Sequence, residues 1–307
     1  MRVAAIDCGT NSIRLLVADI EHGQARELAR DMQVVRLGQG VDATGRFDDA
    51  AIERTFRACD EYADRCRSLA VERIRFVATS ATRDAANRDE FMAGVASRLG
   101  VLPDVISGEE EAALSFAGAT RELLDHEPAP FLVVDIGGGS TEFVLGTDRP
   151  TAARSVDIGC VRMTERHGLA GRHTADAAAA AVLDIDAAIA EARRTVDVAS
   201  ASTFVAVAGS ATTVAAMALG LAAYDRDAIH GTTLTLAQVQ GVSAALLAMD
   251  QPTRAALPFM HPGRVDVIPA GALILRRIME TSGFAEVRIS EHDILDGIAS
   301  RLAAQTD

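Results

Sequence analysis

At 307 residues, 49% apolar and 24% charged, the chain is long enough for about two domains with a sizeable core, and no stretch approaches the ~18 consecutive apolar residues of a membrane span. Its formal net charge is −13 and all 30 basic residues are arginine, which excludes the basic field that non-specific binding to nucleic acid or an anionic membrane requires. A phosphorylated substrate would have to be held locally, by backbone N–H groups, a few arginines and a bound cation.

In chain order, Val3–Ile20 reads as a β-hairpin, two apolar strands around a Gly-centred turn. Its start superficially resembles a secretion signal, but Asp7 and Arg14 interrupt the apolar run, and the chain is expected to be cytoplasmic. Met32–Gly45, with three glycines, reads as a loop, and Asp48–Leu69 as an amphipathic helix carrying Cys59 and Cys66 on one face. Arg73–Ala78 is a strand running into Thr79-Ser80-Ala81-Thr82-Arg83, followed by a helix from about Asn87 to Leu99 and a strand over Val101–Ile106. A helix opens at Glu109-Glu110-Glu111-Ala112 and runs to about Leu124, and His126–Pro130 is a linker. A second hairpin follows, then a strand and turn over Arg154–Val161, and an alanine-rich helix over Thr174–Ala199. Phe204–Ala208 is a strand ending in the small-residue loop Gly209–Thr213, with a helix after it. Leu236–Met249 is a helix, His261–Val267 a polar loop, Pro269–Thr281 a helix, Val287–Ser290 a strand and Asp293–Ala304 a closing helix. Strands alternating with helices in both halves indicate α/β architecture with mixed sheets.

The two hairpins are one pattern written twice. VAAIDCGTNSIRLLV (Val3–Val17) and FLVVDIGGGSTEFVL (Phe131–Leu145) align without a gap, Asp7 on Asp135, Gly9 on Gly137 and Ser12 on Ser140. Two such units suggest two similar domains facing each other with a phosphorylated group between them. Turns rich in Gly, Ser and Thr let N–H groups and hydroxyls converge on an anion; an ordinary glycine hairpin is the plainer alternative. Each Asp ends an apolar strand, where an uncompensated carboxylate is costly. A divalent cation would justify it, with Asp135 and Glu142 flanking the second turn as oxygen ligands suited to Mg²⁺ or Mn²⁺; the alternative is that Asp7 and Asp135 cap their turns.

Elsewhere, Ser107 with Glu110 reads as a capping box, which leaves Glu111 as a candidate general base. Arg83 is either a phosphate-binding arginine or a surface ion-pair residue. Gly209 and Ser210 either bind phosphate or begin a helix. His230, His261 and His292 show no metal-ligand spacing, no CxxC pair occurs among the four cysteines, and neither GxxxxGK[ST] nor GxGxxG is present. Unpaired thiols fit a reducing compartment.

Taken together, DCGTNSIRLLV, SATRDAAN, ISGEEEA, DIGGGSTEF, VDIGCVRMT, AGSATT and ISEHDILDGI resemble, in order and over nearly the whole chain, the exopolyphosphatase/guanosine pentaphosphate phosphohydrolase family of the actin-like ATPase superfamily. The resemblance implies two ribonuclease-H-like domains, each a mixed five-stranded sheet flanked by helices, with an inter-domain cleft. It divides the chain into residues 1–125 with 293–307, and 126–292. It implies hydrolysis of the terminal phosphoanhydride of inorganic polyphosphate. Glu111 would be the catalytic base, and Asp135 and Glu142 the ligands of Mg²⁺ (or Mn²⁺). Phosphate would be held by Asp7, Gly9, Thr10, Asn11, Ser12, Arg14 and Arg83, and by Gly137, Gly138, Gly139, Ser140, Thr141, Gly209 and Ser210. Guanosine pentaphosphate ends in the same anhydride and is the alternative substrate; a kinase of the superfamily and a non-catalytic polyphosphate or nucleotide sensor are further alternatives. A homodimer is expected from the resemblance, although no apolar stripe in the sequence demands one. The chain departs from the usual GSNS at Thr10 and has Ala113 where arginine often follows EEA. It also stops soon after ISEHDILDGI, where longer relatives continue, so short polyphosphates are the expected substrates.

Overall fold

The computed structural model describes residues 1–21 and 24–304. The chain divides into two compact units, Met1–Gly118 with Ile294–Asp307, and Ala119–Asp293. In the first, β1 (Arg2–Cys8), β2 (Ser12–Glu21) and β3 (Gln24–Val34) form an antiparallel meander. After α1 (Val41–Thr44) and α2 (Asp49–Ser68), β4 (Arg73–Ala78) lies parallel to β1. Next come α3 (Ser80–Asp84), α4 (Arg88–Leu99), β5 (Asp104–Val105), which lies parallel to β4, and α5 (Gly108–Thr120). The sheet order is β3-β2-β1-β4-β5.

The second unit repeats this plan. The meander is β6 (Phe131–Ile136), β7 (Thr141–Gly146) and β8 (Pro150–Val156), followed by α6 (Cys160–His167) and α7 (Ala175–Ala192). β9 (Thr203–Val207) lies parallel to β6 and leads into α8 (Ala208–Ala218) and α9 (Arg226–Ile229). Then come β10 (Thr233–Thr235), α10 (Leu236–Ala248), α11 (Gln251–Ala255), α12 (Ile268–Ser282) and β11 (Glu286–Ile289), which is parallel to β9. α13 (Ile294–Ala304) belongs to the first unit.

This second sheet has six strands, not the expected five: β10 adds antiparallel to β11 at the edge. Three residues, TLT, are too short to stand out from the helical pattern after them, and only Leu234 among them is buried. β3 is a further strand beyond the expected elements, and its residues Met32–Val34 fall in the expected loop. Its residues are mostly polar because it is an edge strand paired only with β2. No helix among the described residues is long and apolar enough to cross a membrane.

The strands at the centre of each sheet are continuous apolar runs because both faces are covered. In β1, Ala4, Ile6 and Cys8 enter one core with Phe76 and the α2 and α4 residues Cys59, Tyr62 and Phe91, while Val3 and Ala5 enter another with Leu114, Ile294, Leu295 and Ile298. Cys8, Cys59, Cys66 and Cys160 are all unpaired and buried. α13 approaches α5 so closely that a Cβ on Gly297 would lie 2.0 Å from the Leu114 carbonyl oxygen.

Candidate active site

The two hairpin turns are closed by the same bond. Gly9 N–H donates to the Ser12 carbonyl and Gly137 N–H to the Ser140 carbonyl, each at 3.0 Å. Both turns sit at the ends of strands buried on both faces, so their backbones are fixed by the cores beneath them. What differs is the pair of side chains opposed one step back along the strands.

In the first hairpin that pair is Asp7 and Arg14. Arg14 Nη2 and Nε donate to Asp7 Oδ2 at 2.6 and 3.1 Å, and Asp7 is 4% exposed. The arginine expected to meet phosphate is thus already committed to neutralising the carboxylate across from it. Thr10 Oγ1 meets Ser80 Oγ at 3.0 Å, which ties the turn to α3. Three further bonds brace the turn from the segment after β3: Val35 and Arg36 N–H groups donate to the Asn11 carbonyl at 3.1 and 2.8 Å, and Gly38 N–H to the Thr10 carbonyl at 2.8 Å.

α3 and α5 bring Arg83 and Glu111 together. Arg83 Nη1 donates to Glu111 Oε2 at 2.9 Å and to the Ile106 carbonyl at 2.8 Å. Glu111, 8% exposed, is therefore a buried, oriented carboxylate in the first turn of its helix. The expected capping box is only half present. Ser107 Oγ accepts from Glu110 N–H at 3.2 Å, whereas the Glu110 carboxylate turns away to Arg75 and Arg301.

In the second hairpin the opposed pair is Asp135 and Glu142, 6% and 0% exposed. Glu142 Oε1 accepts from Ser140 Oγ and Ser155 Oγ, each at 2.7 Å. The Ser140 hydroxyl is therefore spent on Glu142, and Thr141 Oγ1 donates to the Ile158 carbonyl at 2.5 Å. The turn is clamped from below by α6. Cys160 N–H reaches the Gly137 carbonyl at 2.9 Å, Val161 and Arg162 N–H groups reach the Gly138 carbonyl at 2.9 and 3.1 Å, and Arg162 Nε reaches the Gly139 carbonyl at 2.7 Å. With its carbonyls turned to α6, the turn keeps the N–H groups of Gly138, Gly139 and Ser140 without an acceptor among the described residues. Such successive N–H groups form an anion cradle. Gly159 is required by this packing, since a Cβ there would lie 2.3 Å from the Gly138 carbonyl oxygen.

The donor set fits a hard divalent cation. Where the first hairpin opposes a carboxylate with a guanidinium, the second opposes two buried carboxylates. Two carboxylates with the remaining positions left to water or phosphate are what Mg²⁺ prefers.

Gly209 and Ser210 are not in a loop before a helix; they form the first turn of α8 itself, after Ala208 in the left-handed conformation at φ +69°. Gly209 has an arginine against it: a Cβ there would lie 2.4 Å from the Arg264 guanidinium carbon. Arg264 Nη1 donates to Thr213 Oγ1 at 3.1 Å, and that hydroxyl donates to the Gly209 carbonyl at 2.7 Å. Arg264 was missed because it lies far along the chain in a short polar segment with no local motif. Cys160 is not a nucleophile in this setting, since burial pushes its thiol up to about 11, and burial also raises Cys8 well above the ordinary range.

The fold also gathers Glu122, His230 and His292, which no spacing foretold. His230 Nε2 lies 3.1 Å from Glu122 Oε2 and His292 Nδ1 3.5 Å from Glu122 Oε1. The Glu291 N–H donates to His230 Nδ1 at 3.1 Å. That bond requires a lone pair on Nδ1, so Nε2 carries the proton and donates to Glu122, an arrangement unsuited to metal ligation through Nε2.

The chain is 49% identical to exopolyphosphatase 2 of Mycobacterium tuberculosis, over 98% of both chains. Its structure superposes on the crystal structure of an exopolyphosphatase-like protein with a TM-score of 0.96 at 42% identity, over 99% of this chain and 98% of that one. On the Aquifex aeolicus PPX-GPPA enzyme the TM-score is 0.81 at 29% identity, over 98% of this chain and 99% of that one. The sequence profile of the Ppx/GppA phosphatase family matches residues 16–305, and the chain belongs to that family.

Proposed function

We propose that the chain hydrolyses the terminal phosphoanhydride of inorganic polyphosphate and releases orthophosphate. The observation that carries this reading is the second hairpin: three N–H groups without an acceptor among the described residues can hold an anion, and the opposed carboxylates of Asp135 and Glu142 offer oxygen ligands to a cation. A metal–phosphate complex supplies both at once. The 49% identical exopolyphosphatase supports polyphosphate as the phosphate in question.

In this reading Glu111, oriented by Arg83, takes a proton from water as the water oxygen bonds to the terminal phosphorus. The bridging P–O bond breaks and its electron pair stays with the shortened chain. The N–H groups of Gly138, Gly139 and Ser140 hold phosphate oxygens, with Arg264 and the first turn of α8 as a further anion contact. Asp135 and Glu142 would hold Mg²⁺, with Mn²⁺ as a substitute; when bound, the ion neutralises charge that builds on the phosphate oxygens. Four buried unpaired thiols fit a reducing compartment and support a cytoplasmic address.

The test is orthophosphate release from tripolyphosphate, long polyphosphate, guanosine pentaphosphate and ATP, with and without Mg²⁺. Release from the polyphosphates only with Mg²⁺ is the expected result. Release from guanosine pentaphosphate alone would replace the substrate, and release from none would refute hydrolysis.

A further inference from the structure

In a trans peptide the carbonyl and the N–H that follows it point in opposite directions. Whatever holds the Gly137, Gly138 and Gly139 carbonyls therefore aims the N–H groups of Gly138, Gly139 and Ser140. The first two carbonyls are held by backbone N–H groups of α6, that of Cys160 on Gly137 and those of Val161 and Arg162 on Gly138. The third is held by a side chain: Arg162 Nε donates to the Gly139 carbonyl at 2.7 Å. Gly139 has no side chain to restrain this peptide and is the most permissive residue type, so the peptide's orientation depends on what its carbonyl meets. The first hairpin holds the equivalent carbonyl by other means. Asn11, which aligns with Gly139, has its carbonyl fixed by the Val35 and Arg36 N–H groups. Both copies pin this peptide, one through backbone and the other through Arg162. The Arg162 side chain is largely buried, which shields the bond from competing water.

We propose that Arg162 is a positioning residue of the anion cradle: its Nε–H bond to the Gly139 carbonyl aims the Ser140 N–H at a phosphate oxygen, and it acts through that bond and not through its charge on the phosphate. The proposal rests on the polyphosphate reading above. The Ser140 hydroxyl is committed to Glu142 at 2.7 Å, so the main-chain N–H is what Ser140 offers an anion. Were the Gly139–Ser140 peptide to turn over, the Gly139 carbonyl oxygen would replace that N–H and repel the phosphate.

Methionine and glutamine at position 162 separate the bond from the charge. Glutamine carries an amide nitrogen as many bonds from Cα as arginine Nε, without the charge, and methionine has a similar stem with no donor. Calorimetric binding of tripolyphosphate and steady-state kinetics in Mg²⁺ are measured on the full chain for wild type, Arg162→Met and Arg162→Gln. Arg162→Met should bind tripolyphosphate about tenfold more weakly, with KM raised by a similar factor and kcat changed less. Arg162→Gln should recover most of that affinity. Wild-type affinity in Arg162→Met would overturn the proposal, and so would Arg162→Gln binding as weakly as Arg162→Met, since the charge would then be what matters. A fall in kcat alone, with KM and affinity unchanged, would reduce Arg162 to a structural role and overturn it too. In the wild type the Ser140 amide proton resonance should move downfield when tripolyphosphate is added; a resonance that stays in place would overturn the proposal even if Arg162→Met does not fold. If the wild-type chain neither binds tripolyphosphate nor releases phosphate from it, the polyphosphate reading falls instead, and the proposal with it.

Discussion

Glu142→Gln separates the cation-site account from an ordinary hairpin. Glu142 is fully buried and directly opposes Asp135, which is 6% exposed. Opposed side chains of an antiparallel pair are neighbours, and two buried carboxylates side by side disfavour each other's charged form, each pKa unit of that perturbation being about 1.4 kcal/mol. Glutamine removes one charge, and its carbonyl oxygen can still accept from Ser140 and Ser155, the two donors that Glu142 Oε1 now receives. Without metal, the variant should therefore be more stable than the wild type by at least ~1 kcal/mol, a rise of about 2–4 °C in the unfolding midpoint of a unit this size. Mg²⁺ should stabilise the wild type and have little effect on the variant, because binding to the folded state alone raises its stability. Thermal unfolding with and without Mg²⁺, beside orthophosphate release as a function of Mg²⁺, reads both effects. An unchanged midpoint together with an unchanged Mg²⁺ requirement would refute the assignment of Glu142.

Arg14→Ala leaves Asp7 without the guanidinium at 2.6 Å. The cost in urea unfolding should be about 2–3 kcal/mol, below the ~3–5 of a fully buried pair because Arg14 is partly exposed. Asp7→Asn combined with Arg14→Gln should recover much of that loss. Gly159→Ala forces a Cβ against the Gly138 carbonyl and should lower kcat/KM by at least about tenfold, the effect expected when positioning donors shift, with the far-ultraviolet spectrum preserved. Cys8, Cys59, Cys66 and Cys160 should resist iodoacetamide at pH 8 in the folded protein and react once denaturant is added, since burial raises all four thiols; mass spectrometry of the labelled chain checks this.

What the sequence made legible was local. The paired hairpins were visible because both faces of their strands are buried, which leaves Asp7 and Asp135 as conspicuous interruptions of apolar runs. The helices α2, α4, α10 and α13 were bounded to within a residue or two because each carries apolar spacing that matches the face it buries. Edge elements were less visible: β3 and β10 pair on one side only, and their residues carry little apolar signal. The chemistry of the site was legible as residue types and not as partnerships. Nothing in SATRD or ISGEEEA states that Arg83 would reach Glu111, because that contact depends on how β4 and β5 lie side by side. Asp7 with Arg14 was within reach, since hairpin register places the two opposite each other as surely as it places Asp135 opposite Glu142. Arg264 on Gly209, Arg36 on the first turn and the Glu122–His230–His292 group join residues distant in sequence, and only the fold brings them together.

The central claim is hydrolysis with Glu111 as the base, and the most direct measurement compares wild type and Glu111→Gln for orthophosphate release from tripolyphosphate in Mg²⁺, with calorimetric binding measured in parallel. The account predicts release by the wild type, a loss of roughly 10²–10⁴-fold in kcat for the variant, and tripolyphosphate affinity retained. Equal turnover in the two proteins, or no release by the wild type, would contradict it.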